Sequence, residues 1–188
     1  MAKRKIGVLV GSLRRGSYSK STANALMALA PANYELEMVD ISNLEFFNQD
    51  FEQDGNTPVA WTDFREQLKG YDAFILVTPE YNRSYPAVLK NALDVGSRPY
   101  GQSIWNGKPA AVVSVSIGGI SGFGANHHLR QVLTFLNMPT MQQPEAYIGN
   151  ATELFDDAGN LINDGTRGFL QTIMDSFVAW VDTNSAIR

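Results

Sequence analysis

The chain has 188 residues, 44% of them hydrophobic and 18% charged, a composition typical of a soluble globular protein with one substantial core. A formal net charge of −4 argues against nonspecific attraction to nucleic acid or to an anionic membrane. The absence of cysteine excludes disulfides, thiolate nucleophiles and thiolate-held iron–sulfur clusters.

The opening "MAKRKIGVLVGS" sets cations ahead of an apolar run. That run is shorter than the roughly 7–15 residues of a signal peptide's hydrophobic region. No stretch approaches the roughly 20 apolar residues of a membrane span, so a cytoplasmic protein is expected. Lys5–Val10 reads as a strand, and Ser19–Ala30 as an Ala- and Leu-rich helix stopped by Pro31. Tyr34–Asp40 alternates with period two, as a half-buried or edge strand does, and a polar loop bearing aromatics follows from Ile41 to Asn56. The next helix carries its own punctuation: Thr57 as N-cap, Pro58 at the first helical position, Gly70 past the end.

Ala73–Thr78 and Ala110–Ile117 are continuous apolar runs, the mark of strands covered on both faces. Between them "PAVLKNALDV" predicts a short helix with Pro86 at its start. After them come a helix over Asn126–Asn137, a short last strand in "EAYIG" and a tight turn or small hairpin in "ELFDDAGNLIND". Thr166–Val181 closes the chain as an amphipathic helix with Phe169, Ile173, Phe177 and Trp180 on roughly one face. This strand–helix alternation predicts an α/β protein with a parallel sheet between two layers of helices. Ligands of such sheets bind beyond the carboxyl ends of the strands, where strand order reverses. The loops after Val10, Thr78 and Ser116 are therefore the places to look for chemistry.

The first of these, "GSLRRGSYSK", has the G-x-x-x-x-G spacing of a nucleotide P-loop in Gly11 and Gly16, but Ser17 and Tyr18 stand where Lys and Ser/Thr are required. Leu13 likewise breaks the dinucleotide fingerprint G-x-G-x-x-G. What remains is a hydroxyl-rich turn with Arg14 and Arg15, leading into a helix whose free N–H groups and dipole favour an anion. A phosphate monoester suits it better than a pyrophosphate; the alternative is an ordinary cap by Ser17 or Ser19. In the second loop, "TPEYNRSYPAVLKNALD", Glu80, Tyr81, Asn82 and Arg83 offer hydrogen-bonding groups, and Tyr81 or Tyr85 a wall for a flat heteroaromatic ring; an ordinary turn is the alternative. The third, "SVSIGGISGFGANHH", places Gly118, Gly119, Gly122 and Gly124 where backbone can approach a ligand or simply flex.

In order and spacing, "GSLRRGSYSK", "TPEYNRSYPAVLKNALD" and "GKPAAVVSVSIGG…HLRQVL" resemble the NADPH-dependent FMN reductase family, in particular its chromate and quinone reductase branch, over nearly the whole chain. The resemblance implies a flavodoxin-like three-layer sandwich with a five-stranded parallel sheet, residues 1–188 forming a single FMN-binding domain. It also implies a cytoplasmic flavoprotein oxidoreductase working as a homodimer or homotetramer, with NADPH or NADH as co-substrate. Ser12, Leu13, Arg14, Arg15, Gly16, Ser17, Tyr18 and Ser19 would wrap the FMN phosphate, Arg14 being its charge partner. Pro79, Glu80, Tyr81, Asn82 and Arg83 would line the isoalloxazine ring, and Ser116, Gly118, Gly119 and Phe123 would complete the pocket. The chain departs from relatives at Ser19, where Asn is frequent, at Arg83, often neutral or aromatic, and at Gly124, in some Arg.

The function so implied is two-electron, ping-pong hydride transfer from NAD(P)H to quinones, free flavin or oxidised metal ions such as chromate. No side chain is named as catalytic, because the hard chemistry belongs to the cofactor. A flavodoxin-type electron carrier and a flavin-free phosphate-binding regulatory module are the alternatives. Arg83 is either a guide for the anionic nicotinamide nucleotide or a plain surface cation. His127 and His128 are adjacent and so cannot share a helical face as a metal pair would. Asp156 and Asp157 fit turn chemistry. Trp61, Trp105 and Trp180 read as packing residues, and Phe46, Phe47 and Phe51 as a satellite core or, by preference, a surface covered by a second subunit.

Overall fold

The computed structural model describes residues 3–53 and 55–185. Five strands, β1 (Arg4–Val10), β2 (Tyr34–Val39), β3 (Ala73–Pro79), β4 (Ala110–Val115) and β5 (Ala146–Ile148), form one parallel sheet in the order β2-β1-β3-β4-β5. Helices α1 (Tyr18–Ala28), α2 (Asp50–Gln53), α3 (Val59–Lys69), α4 (Ala87–Gly96), α5 (Phe123–Phe135) and α6 (Asp164–Ser185) complete the fold, with a single 3-10 turn at Ala151–Glu153. Among the described residues no helix is long and apolar enough to cross a membrane.

The sheet separates two cores, which gives the expected flavodoxin-like three-layer sandwich. Successive residues of a strand face opposite sides, so Ala73, Ile75 and Val77 of β3 join one core while Phe74 and Leu76 join the other. Both faces being covered, β3 and β4 are nearly continuous apolar runs, broken only by Thr78 and Ser114, whose buried hydroxyls donate to the Pro79 and Ser121 carbonyls. On one side α1 and α6 contribute Leu26, Leu170, Ile173 and Phe177; on the other α3, α4 and α5 contribute Trp61, Leu68, Leu89, Leu93 and Leu129. Each such fully buried aliphatic or Phe side chain is worth roughly 1.5–3 kcal/mol. At the sheet's edge, β2 alternates between buried and exposed positions as its period-two pattern predicts.

Three expectations are corrected. Thr57 does not cap α3: Pro58 holds the N-cap position, and the Thr57 hydroxyl donates instead to the Phe51 carbonyl at 3.4 Å. A residue before proline is pushed toward extended backbone, which leaves Thr57 one position too early. Helix α5 begins at Phe123 rather than Asn126, because the Glu80 carboxylate accepts from the Ala125 N–H in its first turn. Finally, Phe47 stacks on Trp61 with centroids 5.5 Å apart and Phe51 lies tilted on it at 5.8 Å, so both are half-buried against the main core under α3, α4 and α5 rather than in a satellite of their own. Of the three loop phenylalanines, Phe46 alone is left as outer surface, 76% exposed. The turn Asp156–Asn160 closes a minimal hairpin, with Phe155 bridged to Leu161 and the Asp156 carboxylate accepting from the Asn160 N–H at 2.8 Å.

Candidate active site

Strand order reverses between β1 and β3, and the loops that follow β1, β3 and β4 meet there. They enclose a cavity of about 180 Å³ lined by Ser12, Arg14, Ser17, Tyr18, Ser19, Pro79, Glu80, Tyr81, Val115, Ser116 and Ile117. A larger cavity of about 620 Å³ lies beside Arg98, Tyr100 and Phe135, past the carboxyl ends of α4 and α5. Its walls are at the opposite end of the sheet from the switch point, so the smaller one is where this architecture places ligand chemistry.

In the first loop Ser17 is the N-cap of α1, its hydroxyl accepting from the Lys20 N–H at 3.3 Å. Ser17 and Ser19 are nearly buried, while Arg14 and Arg15 project into solvent. Gly16 supplies the left-handed residue that turns the chain into the helix, at φ +63°. Among the described residues, the backbone N–H groups of Ser12 to Ser19 find no hydrogen-bond acceptor, and Arg14 and Arg15 form no ion pair. A concave run of free donors at a helix start, with hydroxyls and a cation beside it, is matched to a dianionic oxygen-rich group. The donor set therefore fits a phosphate monoester such as that of FMN.

In the second loop, Tyr81 and Ser84 exchange backbone hydrogen bonds at 2.8 and 3.0 Å around Asn82 and Arg83, whose φ angles are 50° and 69°. This mirror-image turn favours Asn followed by Gly. Arginine occupies the glycine position, a backbone cost of about 1 kcal/mol kept at the rim of the cavity. Glu80, largely buried, ties the loop together: one carboxylate oxygen accepts from Arg83 Nη1 at 3.1 Å and the other from the Ala125 N–H at 3.1 Å. Gly122, the N-cap of α5, has no side chain to cap with, so Glu80 caps the helix from a loop 45 residues upstream. That is why α5 starts earlier than its local sequence predicts. Gly124 makes the approach possible: a Cβ there would stand 2.7 Å from the Arg83 carbonyl and 3.0 Å from the Glu80 carboxylate.

Ser116 extends past β4, its hydroxyl accepting from the Gly118 N–H at 3.2 Å. Gly118 and Gly119 are exposed near the mouth, but Phe123 turns away: its ring packs on His127 at 4.2 Å and on Tyr147 at 5.6 Å. His127 meets the Tyr147 hydroxyl at 2.9 Å, and His128 meets Ser84 Oγ at 3.1 Å. Burial, and after it the Glu145 carboxylate, raise the Tyr147 phenol above its ordinary range. Of the residues singled out from sequence, Ser12, Arg14, Ser17, Tyr18, Ser19, Pro79, Glu80, Tyr81 and Ser116 line one cavity. Leu13, Arg15, Gly16, Asn82, Arg83, Gly118, Gly119 and Phe123 do not line it. Val115 and Ile117 do line it and were missed, because an apolar residue at a strand end reads only as core.

The model of the NADPH-dependent FMN reductase family matches residues 4–153. A quinone reductase of Pseudomonas putida is 57% identical over 182 residues, covering 97% of either chain. A 2-hydroxy-1,4-benzoquinone reductase of Burkholderia sp is 47% identical, covering 94% of this chain and 96% of its own. Among solved structures, the flavoenzyme NAD(P)H:(acceptor) oxidoreductase FerB from Paracoccus denitrificans superposes with a TM-score of 0.89 at 36% identity, over 96% of this chain and 98% of its own.

Proposed function

The chain belongs to the NADPH-dependent FMN reductase family, and from that premise we propose that it is a cytoplasmic FMN-dependent NAD(P)H:quinone oxidoreductase. The observation that carries the reading is the run of unpaired N–H donors from Ser12 to Ser19 opening onto the cavity that Glu80, Tyr81 and Ser116 share. Those donors, the hydroxyls of Ser12, Ser17 and Ser19, and Arg14 would hold the FMN phosphate. Pro79, Glu80, Tyr81 and Asn82 would set the position of the ring, with Ser116 and the Gly118–Gly119 backbone on its other side. Bound there, FMN would supply two-electron redox chemistry between NAD(P)H and an acceptor.

The protein's part is to bind, orient and leave one face open. Glu80 is engaged by Ala125 and Arg83, which fixes its loop and keeps the arginine at the rim. Arg83 would guide the anionic nicotinamide nucleotide. Donor and acceptor would use the same site in turn, which would give ping-pong kinetics. Quinones are the acceptors best supported by the relatives; free flavin and chromate belong to the same proposal. Residues 1–188 would act as one FMN-binding domain within a homodimer or homotetramer.

Protein purified in the presence of FMN is expected to stay yellow through gel filtration and to oxidise NADPH when benzoquinone is added, with parallel lines in double-reciprocal plots. A protein that stays colourless in excess FMN overturns the proposal. A yellow protein unable to consume NADPH or NADH is an electron carrier instead.

A further inference from the structure

The loop that follows β4 is held from inside the protein by a line of buried polar groups. Arg130 of α5, half-buried, donates from Nε to Asn126 Oδ1 at 2.8 Å and from Nη1 to the Met141 carbonyl at 2.8 Å. Asn126, fully buried, donates from Nδ2 to Ser114 Oγ at 3.3 Å and to the Ala146 carbonyl at 3.4 Å. Ser114 of β4, also fully buried, donates to the Ser121 carbonyl at 2.7 Å. The directions of these bonds are forced. A guanidinium donates and never accepts, so Arg130 fixes which end of the Asn126 amide is oxygen. The amide nitrogen then faces Ser114, whose hydroxyl accepts from it and keeps its one proton for Ser121.

Ser121 is where this line meets the loop. It sits at φ +60°, a left-handed conformation that disfavours a residue with a side chain. Its N–H donates to the Gly118 carbonyl at 3.1 Å and its hydroxyl to the Gly119 carbonyl at 3.0 Å, which closes the turn. Among the described residues the Ile117 and Gly119 N–H groups find no acceptor, and Ile117 lines the cavity. Residues Ile117 to Ile120 are exposed, so nothing packed above them keeps the turn in place. What opposes its opening is Ser114, whose buried hydroxyl would lose its acceptor.

We propose that Asn126 and Ser114 are positioning residues for the flavin ring: the relay from Arg130 holds the Gly118–Ser121 turn in the conformation that offers its free donors to the cavity. The inference rests on the FMN reading above. It concerns the ring end of the cofactor, because β3 lies between β4 and the strand that carries the Ser12–Ser19 turn.

The test compares FMN with riboflavin, which carries the ring without the phosphate, by the fluorescence each loses as protein is added. Ser114→Ala and Asn126→Leu are each expected to weaken both flavins alike, about tenfold, the size of one net hydrogen bond. The two residues act in one line, so the double variant is expected to lose no more than the poorer single one. Ser114→Ala deletes one oxygen from an otherwise apolar strand, and it reports even where Asn126→Leu fails to fold. A role in stability alone would lower the urea midpoint and leave both dissociation constants at the wild-type values, which overturns the inference. A loss confined to FMN, or losses that add, overturn it as well.

Hydrogen exchange read without flavin separates the relay from the FMN reading. The Ser121 N–H is expected to exchange about tenfold faster in Ser114→Ala, while the Ser21 N–H, bonded to the Ser17 carbonyl at 3.0 Å, exchanges as in the wild type. A wild type that binds neither flavin, together with this difference, sinks the FMN reading and supports the relay. Equal exchange at Ser121, with wild-type flavin affinity in both variants, does the reverse.

Discussion

Glu80 shows how a single side chain can couple two loops of a site. Its two oxygens are shared between a helix N-terminus and a cation, Ala125 N–H on one side and Arg83 on the other. The exposed arginine adds little stability of its own, because its guanidinium faces water. The bond to Ala125 is another matter, since it replaces the cap that Gly122 cannot provide. Gly124 is the condition for both. Gly124→Ala places a methyl 2.7 Å from a backbone carbonyl, which cannot rotate aside as the carboxylate could. The expected loss is about 1–3 kcal/mol, from overpacking plus the weakened cap, read as a lower urea midpoint with an unchanged slope. A midpoint equal to wild type would mean that the loop yields freely, and that Glu80 positions nothing.

The same logic holds for whole elements, where a buried amide does what no local pattern announces. Asn91 of α4 accepts from the Phe47 N–H at 2.8 Å and donates to the Leu44 and Glu45 carbonyls at 3.2 and 2.9 Å. Trp61 of α3 donates to the same Glu45 carbonyl at 3.1 Å. The long segment between β2 and α3 is thus pinned to two helices, although it contains little regular structure. Asn91→Ala leaves a partly buried N–H unpaired and should cost about 2–4 kcal/mol, measured by urea unfolding at fixed FMN. A loss below the wild-type error would show that water replaces the amide. Such ties explain which elements could be read in advance. Strands β1, β3 and β4 announce themselves because burial on both faces favours nearly continuous apolar runs, and the three site loops because glycine and hydroxyls follow those runs. The start of α5 and the fate of Phe47 and Phe51 could not be read, since their causes are Glu80 and Trp61, distant in sequence. Phe123 was likewise drawn from the cavity by His127 and Tyr147.

Across the whole molecule, tyrosines buried between the layers hold their protons beyond the ordinary phenol range. Tyr34 of β2 donates to Asp182 of α6 at 2.7 Å, and burial first, then that carboxylate, pushes its phenol well up. Burial, followed by the hydrogen bond and charge of Glu37, raises Tyr71 between α3 and β3 to about 12. Burial, followed by the Asp94 charge, raises Tyr85 ahead of α4 to about 12. In the unfolded chain each phenol ionises near pH 10. Between pH 10 and 12 the folded protein therefore keeps protons that the unfolded chain releases, so stability falls as pH rises. The contribution is complete below pH 10 and lost through pH 12. Urea midpoints at pH 8, 10 and 11 are expected to be level and then to drop. Lysine deprotonation adds to that drop, so the discriminating comparison is Tyr71→Phe. That variant lacks the hydroxyl which accepts from Gln67 Nε2 at 3.1 Å, and it should start from a lower midpoint at pH 8 yet fall less steeply to pH 11. Parallel curves for the two proteins would mean that Tyr71 ionises no later in the fold than in the open chain, and that its burial beside Glu37 does not hold the proton on.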